Sequence, residues 1–403
     1  METDTELSYF SNKISNYKFS SKKRKLFKVF QYITKGFKAI FYIALITTII
    51  LIIKNNNLSQ IKQRKEFTDK ILTLEAINNI QQQQLNKTKE MVLKLYNKIS
   101  INSQYKNFTQ EINQKYKEEQ NFFCDNLHFL SNNEFENQIK KAKVNFNNKI
   151  YDMYVFSDSD IVSRAILKHK FWEGHSTLKI LEALNFYANK TNLKNKDLYI
   201  LDIGGNVGWY SFYLGKYGYK IMSFEPTERN FYILRKNYCL NKDVNITIIN
   251  KGLYTSEKSC DYYEHLGNKG NGMVICNQKN DILSSFQKKS VVILTELSNF
   301  ISFLSKKHVA FIKIDVEGAE EAAILSGIEL ISKYHVPFIF LEYCPRYLKM
   351  HNVNNTKFLE MFENNGYKMS TTNFFDKKYV SVYYLAKIRK CFDLYIIYTK
   401  ILE

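Results

Sequence analysis

Several features that mark common protein classes are missing from this sequence. Its 403 residues contain only three prolines, Pro226, Pro337 and Pro345, beside an abundance of Asn. That is compositional bias and carries no functional reading. Six cysteines (Cys124, Cys239, Cys260, Cys276, Cys344, Cys391) are scattered without a C-x-x-C pair. This excludes a zinc ribbon and a small disulfide scaffold, and the spacing leaves the redox compartment unread. No G-x-S-x-G element is present, so a serine-triad hydrolase has no anchor. His169 and His175 flank KFWEG with no cysteine near, a poor basis for a zinc site.

A concentrated basic stripe is absent as well. The net charge of +19 is uneven: residues 1–119 hold 21 Lys/Arg against 10 Asp/Glu, an excess of +11, which leaves 37 against 29, or +8, for the other 284 residues. Phosphate binding needs clustered cations on one face, so a nucleic-acid partner is not expected.

What is present begins with AIFYIALITTIILII, residues 39–53, without a charge. Fifteen residues make about 22 Å of helix; extended back to Gly36, with Lys38 reaching to the interface, the segment spans about 27 Å, enough for a thin bilayer. KNNN follows it and no small-x-small cleavage site does, so the sequence predicts an uncleaved signal anchor at 38–53 rather than a signal peptide. Nine Lys/Arg precede the span and four follow closely, which places the basic tail 1–37 in the cytosol and the remainder in the lumen of the ER or Golgi. N-x-S/T sequons stand at Asn57, Asn86, Asn107, Asn189, Asn245 and Asn354, about as many as chance gives in a chain so rich in Asn. Asn245 is expected in a buried strand.

Between Phe67 and Ile99 apolar residues fall in a heptad register. Ile71, Leu85, Val92 and Ile99 form one series, broken by Asn78; Phe67, Leu74 and Leu95 form the other, broken by Gln81 and Thr88. The region 54–120 therefore reads as a helical or coiled-coil stalk, with homo-oligomerisation an open alternative to a plain solvated spacer. Residues 121–197 read as an N-terminal extension of a folded domain at 198–390, and 391–403 as a tail.

Within that domain strands are predicted near 198–203, 219–225, 245–250, 309–315, 337–343 and 378–385, with helices near 208–217, 228–240, 318–333 and 356–365. This alternation implies a parallel sheet covered on both faces, with its ligand at the carboxyl ends of the strands. The segment LYILDIGGNVGWYSFYLGKYGYKIMSFEP carries the strongest signal. An apolar strand runs into Gly204, Gly205, Asn206 and Gly208 and then a helix, so backbone can approach a ligand closely. Asp202 ends the strand, and Glu225 ends the next at the spacing from which an acid reaches ribose hydroxyls. A dinucleotide fingerprint would place glycine at Asn206 and no carboxylate near the pyrophosphate. Asp202 suits a cationic ligand, and S-adenosylmethionine, with its ammonium and sulfonium, is the nucleotide-like cofactor that fits.

Further on, VAFIKIDVEGAEEAAILSGIELI brings Lys313, Asp315 and Glu317 to a strand end beside the glycine loop. A salt-bridged strand end is the plain explanation; a cation and an anion on one face of a buried strand are otherwise costly unless paired or used. Glu342, ending the next strand, is a second candidate acid or base. Trp172 and Glu173 are candidates for the substrate entrance, with packing as the alternative.

LDIGGNVGWYS, SFEPTERNFYILRKN and FIKIDVEGAEEAAILSG resemble the blocks of FkbM-type methyltransferases, a class I S-adenosylmethionine-dependent family; with DIVSRAILKHKFWEG and FIFLEYCP the similarity covers roughly residues 150–390. It implies an α/β, Rossmann-like, doubly wound class I fold of seven strands and methyl transfer to a hydroxyl, commonly on a sugar or natural product. It carries a cofactor role onto Asp202, Gly204, Gly205, Asn206, Gly208 and Glu225, and a catalytic-site role onto Lys313, Asp315 and Glu317. Gly205 departs from the family, where Ala is commoner. Asp315 is the expected base or acceptor-orienting residue, with Glu317 sharing that role or binding a sugar hydroxyl; no metal is required by these residues, though a carboxylate pair could recruit one. The alternative is a membrane-anchored scaffold whose methyltransferase-like domain has lost catalysis. A lumenal catalytic domain carries its own demand, since the methyl donor is cytosolic and would need a transporter.

Overall fold

A computed structural model describes residues 105–127, 133–157, 160–276, 284–376 and 378–403. The expected anchor at 38–53 and all but the end of the expected stalk lie outside these residues. No described helix is long and apolar enough to cross a membrane.

Thirteen strands are described: β1 (Ile139–Phe146), β2 (Lys149–Phe156), β3 (Leu198–Ile203), β4 (Lys220–Phe224), β5 (Ile246–Ile249), β6 (Gly252–Leu253), β7 (Lys258–His265), β8 (Asn268–Ile275), β9 (Phe286–Thr295), β10 (His308–Ile314), β11 (Phe338–Tyr343), β12 (Tyr367–Ser370) and β13 (Phe392–Tyr398). Seven form the central sheet in the order β12-β13-β11-β10-β3-β4-β5. β13 runs antiparallel to both its neighbours, and the pairs from β11 through to β5 are parallel. The first five expected strands therefore stand within a residue or two of their predicted bounds.

Near-continuous apolar sequence in β3, β10 and β11 reflects cover on both faces, and the two-residue period sorts their side chains into two cores. Leu198, Ile200, Phe311, Phe338, Phe340, Tyr395 and Ile397 face one core. Leu201, Ile203, Ile312, Ile314, Ile339, Leu341, Leu394 and Ile396 face the other. Continued to the strand ends, this period puts Asp202, Lys313, Glu342 and Asp393 on the first face, the side covered by the helices Gly174–Thr191 and Trp209–Gly215.

The expected strand at 378–385 is corrected. Its run of aromatic and β-branched residues is a loop followed by one helical turn, Val382–Leu385, capped by the Ser381 side chain, with Tyr383 and Tyr384 exposed. The last two sheet strands are β12 and β13 instead, so the expected tail at 391–403 supplies a buried strand between β11 and β12. The expected helix at 318–333 is two short helices, Glu320–Leu325 and Glu329–Ser332. Asn245 is exposed just before β5, and its side chain accepts from Lys117.

Two further elements had no counterpart in the sequence reading. β6, β9, β7 and β8 make a second, four-stranded sheet inserted between β5 and β10. Its Met273, Ile275 and Phe286 pack with Cys344 and Tyr347, just beyond the carboxyl end of β11. The helix Tyr105–Asp125, which crosses the expected stalk boundary at 120, closes the opposite sheet edge: the Gln120 amide donates to Ile246 O and accepts from Ile248 N, occupying the open side of β5.

All six cysteines are paired, as Cys124–Cys239, Cys260–Cys276 and Cys344–Cys391. The first fastens the N-terminal helix to the helix Glu228–Leu240, the second ties β7 to the residue after β8, and the third joins the residues that follow β11 and precede β13.

Candidate active site

At the carboxyl end of β3 the chain turns through Gly204 at φ +84°, Asn206 at φ +47° and Gly208 at φ +93°. A side chain at Gly204 would stand 1.9 Å from the carbonyl oxygen of Asp315, so this glycine lets the loop lie directly against the end of β10. Gly205 is constrained by space rather than by backbone angle: a Cβ there would lie 2.3 Å from Ser223 Oγ. The glycine that departs from the family pattern thus fits the serine opposite it.

Glu225 is buried and organises the same loop. One carboxylate oxygen accepts from the Asn206 amide at 2.9 Å, and the other from the Thr227 amide at 3.0 Å and its hydroxyl at 2.7 Å. Burial raises its pKa against the pull of these bonds. Asp202 Oδ2 accepts from Ser211 at 2.6 Å, while Oδ1 is buried and receives no hydrogen bond. Burial raises Asp202 too, against the opposing pull of Lys313.

Lys313 sits in register between Asp202 on β3 and Phe340 on β11. Its ammonium donates to Gly204 O at 2.6 Å and stands 3.6 Å from Asp202 and 3.5 Å from Asp315. Burial alone would lower its pKa, but Asp315 and Asp202 overcome that and hold it above the ordinary lysine range. Lys313 so placed braces the glycine loop against two carboxylates.

Asp315 is partly exposed, with its amide extending the ladder to Ile203 O at 3.1 Å. Glu317 follows at φ +54°, its pKa raised well above the ordinary range by burial, then by Asp315 and Glu320. Glu320, wholly buried, accepts from the amides of Val316 and Gly318 and so shapes the turn that carries Glu317. Glu342 lies opposite Asp393 in the β11–β13 register. Asp315 above all, then burial, Glu317, Glu320 and Asp393 push Glu342 up to about 10, so at neutral pH it is a proton donor. Asp315, Glu317 and Glu342 each bring a carboxylate oxygen within 4.8 Å of the others, close enough for one cation to touch all three.

The structure gathers Asp202, the glycine loop, Glu225, Lys313, Asp315, Glu317 and Glu342 at the strand ends, packs Trp172 against the first core, and adds other residues. Asp393 was missed because the last strand was placed too early. Ser211, Glu320 and Tyr210 carry no motif of their own; only the turn of a helix or loop puts them against the strand ends. Tyr262, from the inserted sheet, has its pKa raised chiefly by burial and then by the charges of Glu225 and Glu264, with Glu317 a smaller influence.

The seven-stranded mixed sheet, its single antiparallel strand and the glycine loop after β3 define a methyltransferase-like α/β fold. Residues 202–369 match the Methyltransferase FkbM domain, and this part of the chain is similar to that domain. No curated protein sequence matches the chain. Among solved structures it is similar to WbdD at 11% identity, covering 55% of this chain and 39% of that one with a TM-score of 0.33. It is similar also to the T. thermophilus 16S rRNA N2 G1207 methyltransferase RsmC in complex with AdoMet and guanosine, at 12% identity over 64% of this chain and 50% of that one, TM-score 0.31. A putative O-methyltransferase from Klebsiella pneumoniae gives 10% identity over 57% and 82%, TM-score 0.30. The chain therefore spans half or less of the first two.

Proposed function

We propose that the chain is a membrane-anchored S-adenosylmethionine-dependent O-methyltransferase acting on a hydroxyl of a glycan or another small polyhydroxyl acceptor. The observation that carries this reading is the ring of carboxyl groups around the ends of β3, β10, β11 and β13, beside the glycine loop and with Lys313 at its centre. Carboxylates accept from hydroxyls, and a surface so acidic repels a phosphate backbone.

The residues present fit the donor. Asp202 offers a buried oxygen, Oδ1, that receives no hydrogen bond and faces the Lys313 ammonium at 3.6 Å, a place suited to cations; the loop 204–208 has no side chain to block backbone approach at its glycines; and Glu225, ending the next strand, is held against the same loop. S-adenosylmethionine supplies an electrophilic methyl group on sulfur. Glu225 and Asp202 would hold it, Lys313 would keep the loop and Asp315 in register, and Asp315 would orient the acceptor hydroxyl. Glu317 and the protonated Glu342 would bind neighbouring hydroxyls.

Pairing of all six cysteines supports an oxidising compartment, in line with the lumenal side assigned from the charge bias around residues 38–53. Titration with S-adenosylmethionine and with NAD, followed by thermal shift, tests the donor. Stabilisation by the first alone is expected; stabilisation by NAD, or by neither, would overturn the reading.

A further inference from the structure

The fold explains Glu173 least among the acids of this site. It stands in the cap position of the helix Gly174–Thr191, yet its backbone is left-handed at φ 42° and its side chain makes no capping bond. That conformation suits Gly or Asn; a glutamate there is strained. Nor is its carboxylate the helix's sole tie to the domain. Ser176 donates to Asp393 and accepts from Tyr395, both at 2.9 Å, and Thr177 accepts from the Trp209 indole at 3.0 Å.

The carboxylate turns inward instead. Its Oε2 accepts from the Tyr210 hydroxyl at 2.5 Å, and its charge acts on Lys313 and Tyr395 while it feels Asp393 and Asp315. Tyr210 is itself fixed, with its ring facing the Lys313 ammonium 5.8 Å from the centroid. Strain and desolvation are thus both accepted at a residue whose side chain makes no cap and whose carboxylate is tied through Tyr210 to the helix after the glycine loop, beside Lys313 at the strand ends where the acceptor would lie.

We propose that Glu173 is the proton acceptor of the reaction, taking the hydroxyl proton while Asp315 orients the same hydroxyl; this rests on reading the site as one for hydroxyl methylation. In the step the acceptor oxygen forms its bond to the donor methyl, the carbon–sulfur bond breaks with its electron pair passing to sulfur, and the proton moves to Glu173. Tyr210 occupies Oε2 and leaves Oε1 for that proton. Burial in the first place, then Asp393 and Asp315, outweigh Tyr210 and Lys313 and bring the carboxyl up to about 7, where a base is most effective at neutral pH.

The test uses the full-length protein in detergent, as wild type, Glu173→Gln and Glu173→Asp, with methyl glycosides of common hexoses and 6-deoxyhexoses as acceptors and S-adenosylhomocysteine release as the readout. Glu173→Gln should lower kcat by about 10² to 10³ and remove the ascending limb near pH 7 from the kcat/KM profile, with donor affinity unchanged by calorimetry. Glu173→Asp should keep part of the rate and the limb. Independently of turnover, difference infrared spectra of the donor-free protein should lose one carboxyl band titrating near pH 7 in Glu173→Gln, and that variant should melt no lower than wild type at pH 8. An unchanged pH limb, an unchanged infrared titration, or a loss of rate explained by earlier melting overturns the assignment of Glu173. A wild type that binds the donor but methylates none of the glycosides overturns the hydroxyl reading, and the proposal with it.

Discussion

At the scale of single residues, the proposed function assigns some groups to the donor and others to the acceptor. Glu225→Ala should weaken S-adenosylmethionine binding by about 1.5 to 3 kcal/mol, because lost ribose bonds are compounded by release of the Asn206 amide. Asp202→Ala should act likewise and also free Lys313. Asp315→Asn should instead reduce turnover by about 10² or more with little change in donor affinity. Calorimetry beside single-turnover rates checks the split, and equal losses in Asp315→Asn would move that residue into the donor pocket. A second prediction concerns Gly205. Its replacement by alanine should destabilise the domain by about 1 to 3 kcal/mol, since the Cβ meets Ser223 Oγ at 2.3 Å. Ser223→Ala should rescue it and be nearly neutral alone, because that hydroxyl is buried and makes no hydrogen bond. Denaturant midpoints of the three variants settle the matter.

At the scale of elements, the strand ends are the working surface and their alignment is what must be kept. β11 and β13 carry Glu342 and Asp393 as register partners, and Cys344–Cys391 joins the chain just beside that pair. Replacing both cysteines by alanine should cost about 2 to 4 kcal/mol and lower turnover more than it lowers donor affinity, because β3 and the glycine loop are untouched. If donor affinity fell as far as turnover, the disulfide would be a general staple rather than a support for the acceptor side. The inserted sheet β6 to β9 packs beside the same disulfide, by Phe286 against Tyr347 and by Met273 and Ile275 with Cys344.

At the scale of the whole molecule, crowded buried carboxyls set the pH dependence of stability. Glu173 and Glu320 are raised to about 7, Glu320 chiefly by burial, and Glu342 to about 10. A carboxyl whose folded pKa exceeds its unfolded one makes the folded protein bind more protons, so stability falls as pH rises from the unfolded toward the folded value. His351, lowered to about 4 by burial, acts in the opposite sense below its unfolded value of 6.5. The melting temperature of the donor-free protein should therefore decline by several degrees between about pH 6.5 and 8.5. A flat or rising profile in differential scanning fluorimetry would contradict the buried placement of these acids. Topology is the second whole-molecule prediction. The chain should remain in membranes after carbonate extraction, carry N-glycans on Asn86 and Asn107, and show no reactive thiol before reduction. Loss of the domain to protease added outside sealed vesicles, without any glycosidase shift, would place it in the cytosol and remove the need for a donor transporter.

Read residue by residue, the sequence alone determined the parts of the fold that are local. Apolar runs fixed β3, β4, β5, β10 and β11, since a strand covered on both faces must be apolar throughout; the glycines after Ile203 and the acids at Asp202, Glu225 and Asp315 marked the ligand end, since loop and strand are contiguous there. It misread YVSVYYLA as a strand, because an exposed aromatic run and a buried one have the same composition, and it had no signal for the inserted sheet, whose strands are polar on one side. Tertiary structure decided the rest. Residues 202, 315, 342 and 393 come together because the two-residue period of four adjacent strands and the reversed direction of β13 bring their side chains to one face at one end of the sheet, and the cap of the helix that covers this face adds residue 173. Whether each carboxyl there is a base, a donor or a brace depends on burial and on the distance to Lys313, quantities that exist only once the chain is folded.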